Sequence, residues 1–236
     1  MLARCYNVYE SEVKMLIKTK LMNIAPQLID TPRYADEIKA IFTEQFEDLG
    51  VEVTTYPYGD EIGKNQITAS GFFEAQEWDF EFTNDPEENL FLTNIELQLI
   101  MHSEDKPICI NNTDWQFLAH QVEQTIAHEM IHRDQSRKRF HTKGGESYPI
   151  YDDHLSEEDK RIVYLSDPDE IDAYANDVAL DMLKRYTYMA AYARLREYKK
   201  ITQTECPILC EYIDTFGWNS DTVHTLLKKA LKRLET

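Results

Sequence analysis

Apolar residues recur at helical spacing through roughly the first fifty residues of the chain. Their period predicts two helices, at 11–24 and 32–49, with a break between them that includes Pro26 and Asp30-Thr31 and with Gly50 after the second. From there the pattern changes to apolar–polar alternation with turn signals, which is typical of strands. Strands are predicted at 51–58, 66–73, 78–82 and 90–101, with a short strand at 108–110.

Helical spacing returns at residue 114 and continues to residue 135 without a Pro or Gly. Thr113 or Asp114 offers the N-cap of this helix. Its predicted apolar face consists of Trp115, Leu118, Val122, Ile126 and Met130. The segment that follows, 137–165, is predicted to be a loop.

The last part of the chain is predicted to be helical. Asp167 is a suitable N-cap and Pro168 suits a first helical turn, so a helix is expected from there to about residue 198. A final helical section covers 208–234, with a break near Gly217. Helices, a sheet and further helices in this order predict an α+β fold.

The chemistry of the chain is concentrated in the long central helix. It contains His128-Glu129-Met130-Ile131-His132, an HExxH string. Four residues make about one helical turn, so both imidazoles leave the same face and can bind one metal ion. The Glu129 carboxylate can reach a water on that metal without binding the ion itself. This pattern predicts the ligand pair and the general base of a zinc hydrolase.

With Thr125-Ile126-Ala127 before it, the string resembles the active-site helix of the zincin metallopeptidases. The metzincin continuation is absent, because Gln135 and Lys138 stand at its glycine and third-histidine positions. The resemblance implies a zincin-like core with an antiparallel or mixed sheet, N-terminal helices and a helical C-terminal part. It also implies that a peptide docks by strand addition at an edge strand, either 90–101 or 108–112.

A catalytic zinc site generally has three protein ligands and one open position. The gluzincin branch takes its third ligand from a glutamate on a separate downstream helix, and Glu170 suits that arrangement. The run 175–179 is more loosely similar to the corresponding helix of ImmA/IrrE-like zincins of bacteria and phages, in a register that leaves Asp172 as an alternative. Two further alternatives lie in the preceding segment, His141 and His154. Glu170 is preferred for its longer reach and its residue type.

The resemblance implies a hydrolase of peptide bonds in which Zn²⁺ is held by His128, His132 and Glu170. A zinc-activated water attacks the bond, Glu129 is the general base, and a polypeptide is the substrate. Candidate donors to the oxyanion are Tyr148, Tyr151, His154 and Tyr174. Candidate acceptors for the second imidazole nitrogens are Asp134, Asp172 and Asp177. The alternatives are a zinc hydrolase of another amide, and a catalytically inactive zincin-fold binding or structural protein with an acidic surface.

Composition indicates the domain organisation, the partners and the location to expect for this chemistry. The chain has 236 residues, 42% of them hydrophobic, which predicts one globular domain over 1–236. A net charge of −18 disfavours a nucleic-acid partner, and no apolar run is long enough for a membrane span. Without the apolar segment of a signal peptide, and with scattered cysteines, a cytoplasmic location is expected, in the host cytoplasm or the virion if a phage encodes the chain. Oligomeric state is not predicted.

Overall fold

The structure is a computed structural model of the chain. It describes residues 2–58, 63, 66–73, 95–102, 105–143 and 154–235. The chain divides into two compact units, Met1–Arg133 and Asp134–Thr236. Each unit is described by itself, and the expectation of a single domain over 1–236 stays a prediction.

The first unit begins with two helices, α1 (Leu2–Leu28) and α2 (Ala35–Phe46). Both were predicted, but α1 continues through Pro26, so the predicted break is wrong at Pro26 and confirmed at Asp30-Thr31. The helix ends instead before Asp30, which has a left-handed backbone (φ 54°). Pro26 lies in the last turn, where only one intrahelical N–H is lost.

A short 3-10 helix, Glu47–Leu49, follows α2 and ends at Gly50, whose φ of 67° is readily adopted by glycine. Three strands come next: β1 (Val51–Pro57), β2 (Ile67–Phe73) and β3 (Ile95–Met101). Their order in the sheet is β1-β3-β2, with β1 parallel and β2 antiparallel to β3. The predicted mixed sheet is thus present, and the predicted strand 78–82 lies outside the described residues.

Strand β3 lies in the middle of this sheet. Alternate residues on one face of β3 are completely buried, namely Ile95, Leu97, Leu99 and Met101. Because both of its sides are occupied by β1 and β2, the described part of the 90–101 strand cannot be an edge that receives a peptide. The predicted strand at 108–110 is also wrong: Ile108 and Ile110 form isolated bridges to Arg33 and Ile29.

Helix α3 (Asn112–Lys143) is longer than predicted. Its N-cap is Asn111 rather than Thr113 or Asp114, because the Asn111 side-chain oxygen accepts from the backbone N–H groups of both residues, at 2.8 and 3.0 Å. The predicted apolar face is confirmed as buried, with Trp115, Leu118, Val122, Ile126 and Met130 all at most 6% exposed.

The described remainder of the second unit is helical. Its helices are α4 (Glu157–Ser166), α5 (Pro168–Arg185), α6 (Tyr188–Arg196), α7 (Pro207–Phe216) and α8 (Asp221–Leu234). Helix α4 occupies part of the segment predicted as loop, and α5 ends thirteen residues before the predicted 198 (198 − 185), at the extended residue Tyr186. The predicted start at Asp167 and the break at Gly217 are confirmed.

One apolar core joins these helices. Its completely buried members include Val178, Met182, Leu209, Tyr212 and Leu226. Together the two units confirm the α+β class, whereas a zincin-like core remains a prediction. None of the helices in the described ranges combines the length and hydrophobicity that crossing a bilayer requires.

Candidate metal centre

The two histidines of the HExxH string lie one turn apart on α3 and point the same way. Their Nε2 atoms are 3.1 Å apart, and their rings meet edge to face with centroids 4.8 Å apart. Two nitrogens at this distance need a proton or a cation between or beside them, because their lone pairs otherwise repel. Tetrahedral zinc with Zn–N bonds near 2.0–2.1 Å would hold two imidazole nitrogens about 3.3 Å apart. The distance between the Nε2 atoms of His128 and His132 is therefore close to that expected for two nitrogen ligands of one zinc ion.

Glu170 lies in the first turn of α5 because that helix begins with a well-defined cap. The Asp167 side chain accepts from the Asp169 backbone N–H at 2.8 Å, and Pro168 occupies the first helical position. Gln135, three residues after His132 on α3, donates its side-chain amide to the Asp169 carbonyl at 3.2 Å. This bond holds the residue directly before Glu170 beside the helix that carries the histidines.

The structure brings the three predicted ligands together. One ligand atom from each of His128, His132 and Glu170 lies within 4.8 Å of the other two. All three residues are buried, with 5–8% of their surface exposed. Burying a carboxylate is costly unless a positive charge or hydrogen-bond donors compensate it, so a cation suits this set of groups. Two imidazoles and one carboxylate match the donor preference of zinc, but the group itself does not identify the metal.

Glu129, the predicted general base, is also buried, at 8% exposed. Strand β2 passes directly over its helix: a Cβ atom on Gly71 would lie 3.7 Å from the Glu129 Cγ and only 2.5 Å from the Thr125 Cγ2. The Ala69 backbone N–H donates to the Gln121 side chain at 3.4 Å. Among the described strands, β2 pairs on one side only. The strand beside the HExxH helix is thus β2, which the sequence did not single out.

Arg133, which follows the second histidine, is almost fully buried. Its guanidinium donates to the Leu49 carbonyl at 2.8 Å, just before β1 begins. This charged residue therefore ties α3 to the start of the sheet, and the contact gives it a structural role next to the ligands.

Three tyrosines of the second unit pack together; we call Tyr164, Tyr174 and Tyr212 the tyrosine cluster. The Tyr164 and Tyr174 hydroxyls are 3.4 Å apart, and the Tyr174 and Tyr212 rings meet edge to face with centroids 5.8 Å apart. Burial, reinforced by the nearby Tyr174 hydroxyl and Glu170 carboxylate, raises the pKa of Tyr164 far above its usual range. Burial likewise raises the pKa of Tyr212.

The alternative ligands lie elsewhere. The two carboxylate oxygens of Asp172 accept from Lys229 at 2.9 Å and from Arg233 at 3.2 Å, so this acid is engaged with α8. His154 is exposed, and the His141 side chain lies outside the described residues, as do Tyr148 and Tyr151. Asp177 is buried on α5.

No protein-family model, no curated protein and no solved structure matches the chain. The resemblance to zincins consequently stays a prediction, which depends on the HExxH string. The distances among the three candidate ligand atoms do not depend on that resemblance.

Proposed function

We propose that the protein is a zinc-dependent endopeptidase. His128, His132 and Glu170 would hold the ion, and Glu129 would act as general base. The observation that supports this proposal most strongly is the convergence of two imidazole nitrogens and one carboxylate, all buried, within 4.8 Å of one another. Glu170 follows the second histidine by 38 positions (170 − 132), and three such donors are a complete set of protein ligands for catalytic zinc.

Each side chain has a defined task in this reaction. A bound zinc ion supplies a water of near-neutral pKa and a Lewis acid for the substrate carbonyl. The water oxygen bonds to the carbonyl carbon and the C–N bond breaks. Glu129 takes the proton from the water and delivers it to the leaving amine nitrogen, which requires a carboxylate next to the ligands but not among them. Its place between the two histidines on α3 meets that requirement.

The position of β2 supports a peptide as the substrate. An extended chain can add to a strand edge through backbone hydrogen bonds; among the described strands β2 pairs on one side only, and it runs beside Glu129. The absence of a side chain at Gly71 lets this strand approach the helix closely. A peptide held along β2 would therefore lie next to the general base.

The test compares the wild type with Glu129→Gln in a zinc-loaded digest of a peptide library. We expect the wild type to cleave peptides and the variant to lose nearly all turnover, while both bind one zinc per chain. Glu123→Gln is the matched control, since this buried glutamate lies on the same helix and pairs with Lys18 at 3.3 Å. Zinc-loaded wild type that cleaves no peptide, or a Glu129→Gln variant that cleaves as fast, would contradict the proposal.

A further inference from the structure

We propose that Gln121 is a specificity-determining residue of the peptide site. Its side chain caps the edge of β2 at Ala69, so a peptide can pair with this strand only from Gly71 onward, beside Glu129. The inference rests on the proposed function and deepens it, since it determines which part of a bound peptide is held. All of its evidence lies within the first unit.

The hydrogen bonds of β3 show in which direction its backbone groups point. The Ile95 N–H donates to the Gly50 carbonyl at 3.1 Å, on the β1 side of the strand. At the other end, the Met101 carbonyl accepts from the Tyr58 N–H at 2.8 Å, on the same side. The direction alternates along a strand, so the odd-numbered residues of β3 point toward β1 and the even-numbered ones toward β2.

The register of the sheet then identifies the outward groups of β2. Even-numbered residues of β2 lie opposite even-numbered residues of β3, as in the pair of Ser70 with Gln98. These pairs exchange the hydrogen bonds between the strands, so the odd-numbered residues of β2 direct their N–H and C=O groups away from β3. The Ala69 N–H agrees with this direction, because it donates to the Gln121 side chain. The outward residues are Ile67, Ala69, Gly71 and Phe73.

The Gln121 side chain lies at this edge, where the backbone of an added strand would run. Its Oε1 atom accepts from the Ala69 N–H at 3.4 Å and so takes the place of a peptide carbonyl. A peptide that pairs with Ala69 must therefore displace the side chain. Covering an edge in this way limits what can pair with it.

The cap lies on one side of the general base. Gln121 precedes Glu129 by eight residues on α3 (129 − 121), which is about 12 Å along the helix. Toward Glu129, the helix lies against β2 at Gly71, where an added Cβ would be 3.7 Å from the Glu129 Cγ. Ala69 is two residues, about 7 Å, before Gly71 along the strand. A peptide paired from Gly71 onward is thus held beside Glu129, and the cap ends the pairing on the other side.

The experiment measures kcat/KM of the zinc-loaded protein on a nested series of peptides. The series is built from one peptide that the wild type cleaves in a library digest, and it grows by one residue at a time on either side of the scissile bond. Gln121→Ala frees the Ala69 N–H, so on one side kcat/KM should keep rising through two residues beyond the wild-type limit. We expect the ratio of kcat/KM between long and short peptides to increase roughly 2–10-fold, the usual net contribution of one hydrogen bond.

Two variants serve as controls. Gln121→Glu keeps an oxygen that can accept from the Ala69 N–H, so the rise should stop at the wild-type length. Gln116→Ala removes an exposed glutamine of the same helix and should also show the wild-type length dependence. Melting curves show whether each variant folds. Amide hydrogen exchange at Ala69, followed by NMR, should be faster in Gln121→Ala than in the wild type and both controls.

The role of Gln121 and the proposed function can fail separately. A ratio in Gln121→Ala that equals the wild-type ratio or falls below it would overturn the role and leave the peptidase proposal standing. A rise on both sides of the scissile bond, the same rise in Gln116→Ala, or unchanged exchange at Ala69 would overturn the role too. A wild type that binds zinc but cleaves no peptide would remove the proposed function and this role with it.

Discussion

The histidines and the glutamate of the candidate metal centre are positioned by different means. His128 and His132 need only a helix, because a spacing of four residues puts them on one face with Nε2 atoms 3.1 Å apart. Glu170 depends on contacts outside its own turn: on the cap at Asp167 and on the Gln135 bond to the Asp169 carbonyl. The positions of the two histidines therefore depend on a single helix, whereas the position of the Glu170 carboxylate depends on the folding of the second unit.

The largest effect should come from removing a ligand. His128→Ala should abolish stoichiometric zinc binding, since one imidazole and one carboxylate are a poor site. Glu170→Ala should also lose most of its affinity, whereas Asp172→Ala should keep zinc and lower the melting temperature, because Lys229 and Arg233 lose their partner. Metal analysis after dialysis, with melting curves alongside, measures these changes. Zinc loss in Asp172→Ala but not in Glu170→Ala would reverse the assignment of the third ligand.

A smaller effect is expected where the sheet meets the histidine helix. Gly71→Ala would place a Cβ 2.5 Å from the Thr125 Cγ2 and 2.6 Å from the Glu96 carbonyl oxygen, so the strand or the helix must shift. We expect a destabilisation of about 1–3 kcal/mol, as for other overpacked sites, with reduced peptide hydrolysis. Denaturant unfolding and a peptide assay would measure both.

Gly217→Ala, in the second unit, is the variant with which Gly71→Ala is compared. Nothing lies within 4 Å of the added Cβ, but the residue has a φ of 81°. Its loss of stability should come from the backbone alone, about 1 kcal/mol, and hydrolysis should be retained. If Gly71→Ala cost no more than Gly217→Ala and left hydrolysis intact, the close approach of β2 to Glu129 would not matter for function.

The smallest effect concerns a polar network around Glu205 in the second unit. Glu205 accepts from Arg194 at 3.0 Å with each oxygen, from the Tyr186 hydroxyl at 2.5 Å and from the Thr202 N–H at 2.9 Å. The hydrogen bonds from Arg194, followed by those from Tyr186 and Thr202, hold the pKa of Glu205 well below its usual range. A carboxyl with a depressed pKa stabilises the fold above its ordinary pKa and loses that effect as pH falls through the folded value.

Glu205→Gln should therefore melt a few degrees below the wild type at pH 7, and the gap should narrow as the solution is acidified below about pH 4.5, the ordinary value for a glutamate. Glu158→Gln, an exposed change in the same unit, should melt like the wild type at both ends of the series. Zinc affinity at pH 7 should change little in either variant. A gap that widens toward acid would show that the network does not depend on an ionised Glu205.

The local part of this architecture follows from sequence patterns, and the tertiary part does not. Periodicity predicts α3 with its buried face and the HExxH pair, because a helix relates neighbours three and four apart. The cap at Asp167 predicts where α5 begins, and with it the place of Glu170. The choice between Glu170 and Asp172 required the structure, since both lie in the same turn region and only the contacts with Lys229 and Arg233 show where Asp172 points.

The order of the strands in the sheet is the clearest example of what a sequence pattern does not predict. Alternation predicts β3 but contains no information about its neighbours, and hydrogen bonding places β1 and β2 on either side of it. Consequently the strand beside the HExxH helix is β2. The residue of β2 that lies against the helix is Gly71, which has no side chain and so does not stand out in the sequence as a functional candidate. The one-residue corner between α4 and α5 is similar, because α4 itself lay in a segment predicted as loop.

The most direct test of the metal centre is anomalous diffraction at the zinc edge from crystals of the zinc-loaded protein. We predict a single strong peak about 2.0–2.2 Å from the Nε2 atoms of His128 and His132 and from a carboxylate oxygen of Glu170. The opposite result is no peak at these three residues, or a peak bound to cysteine sulfur at about 2.3 Å, and it would contradict the account.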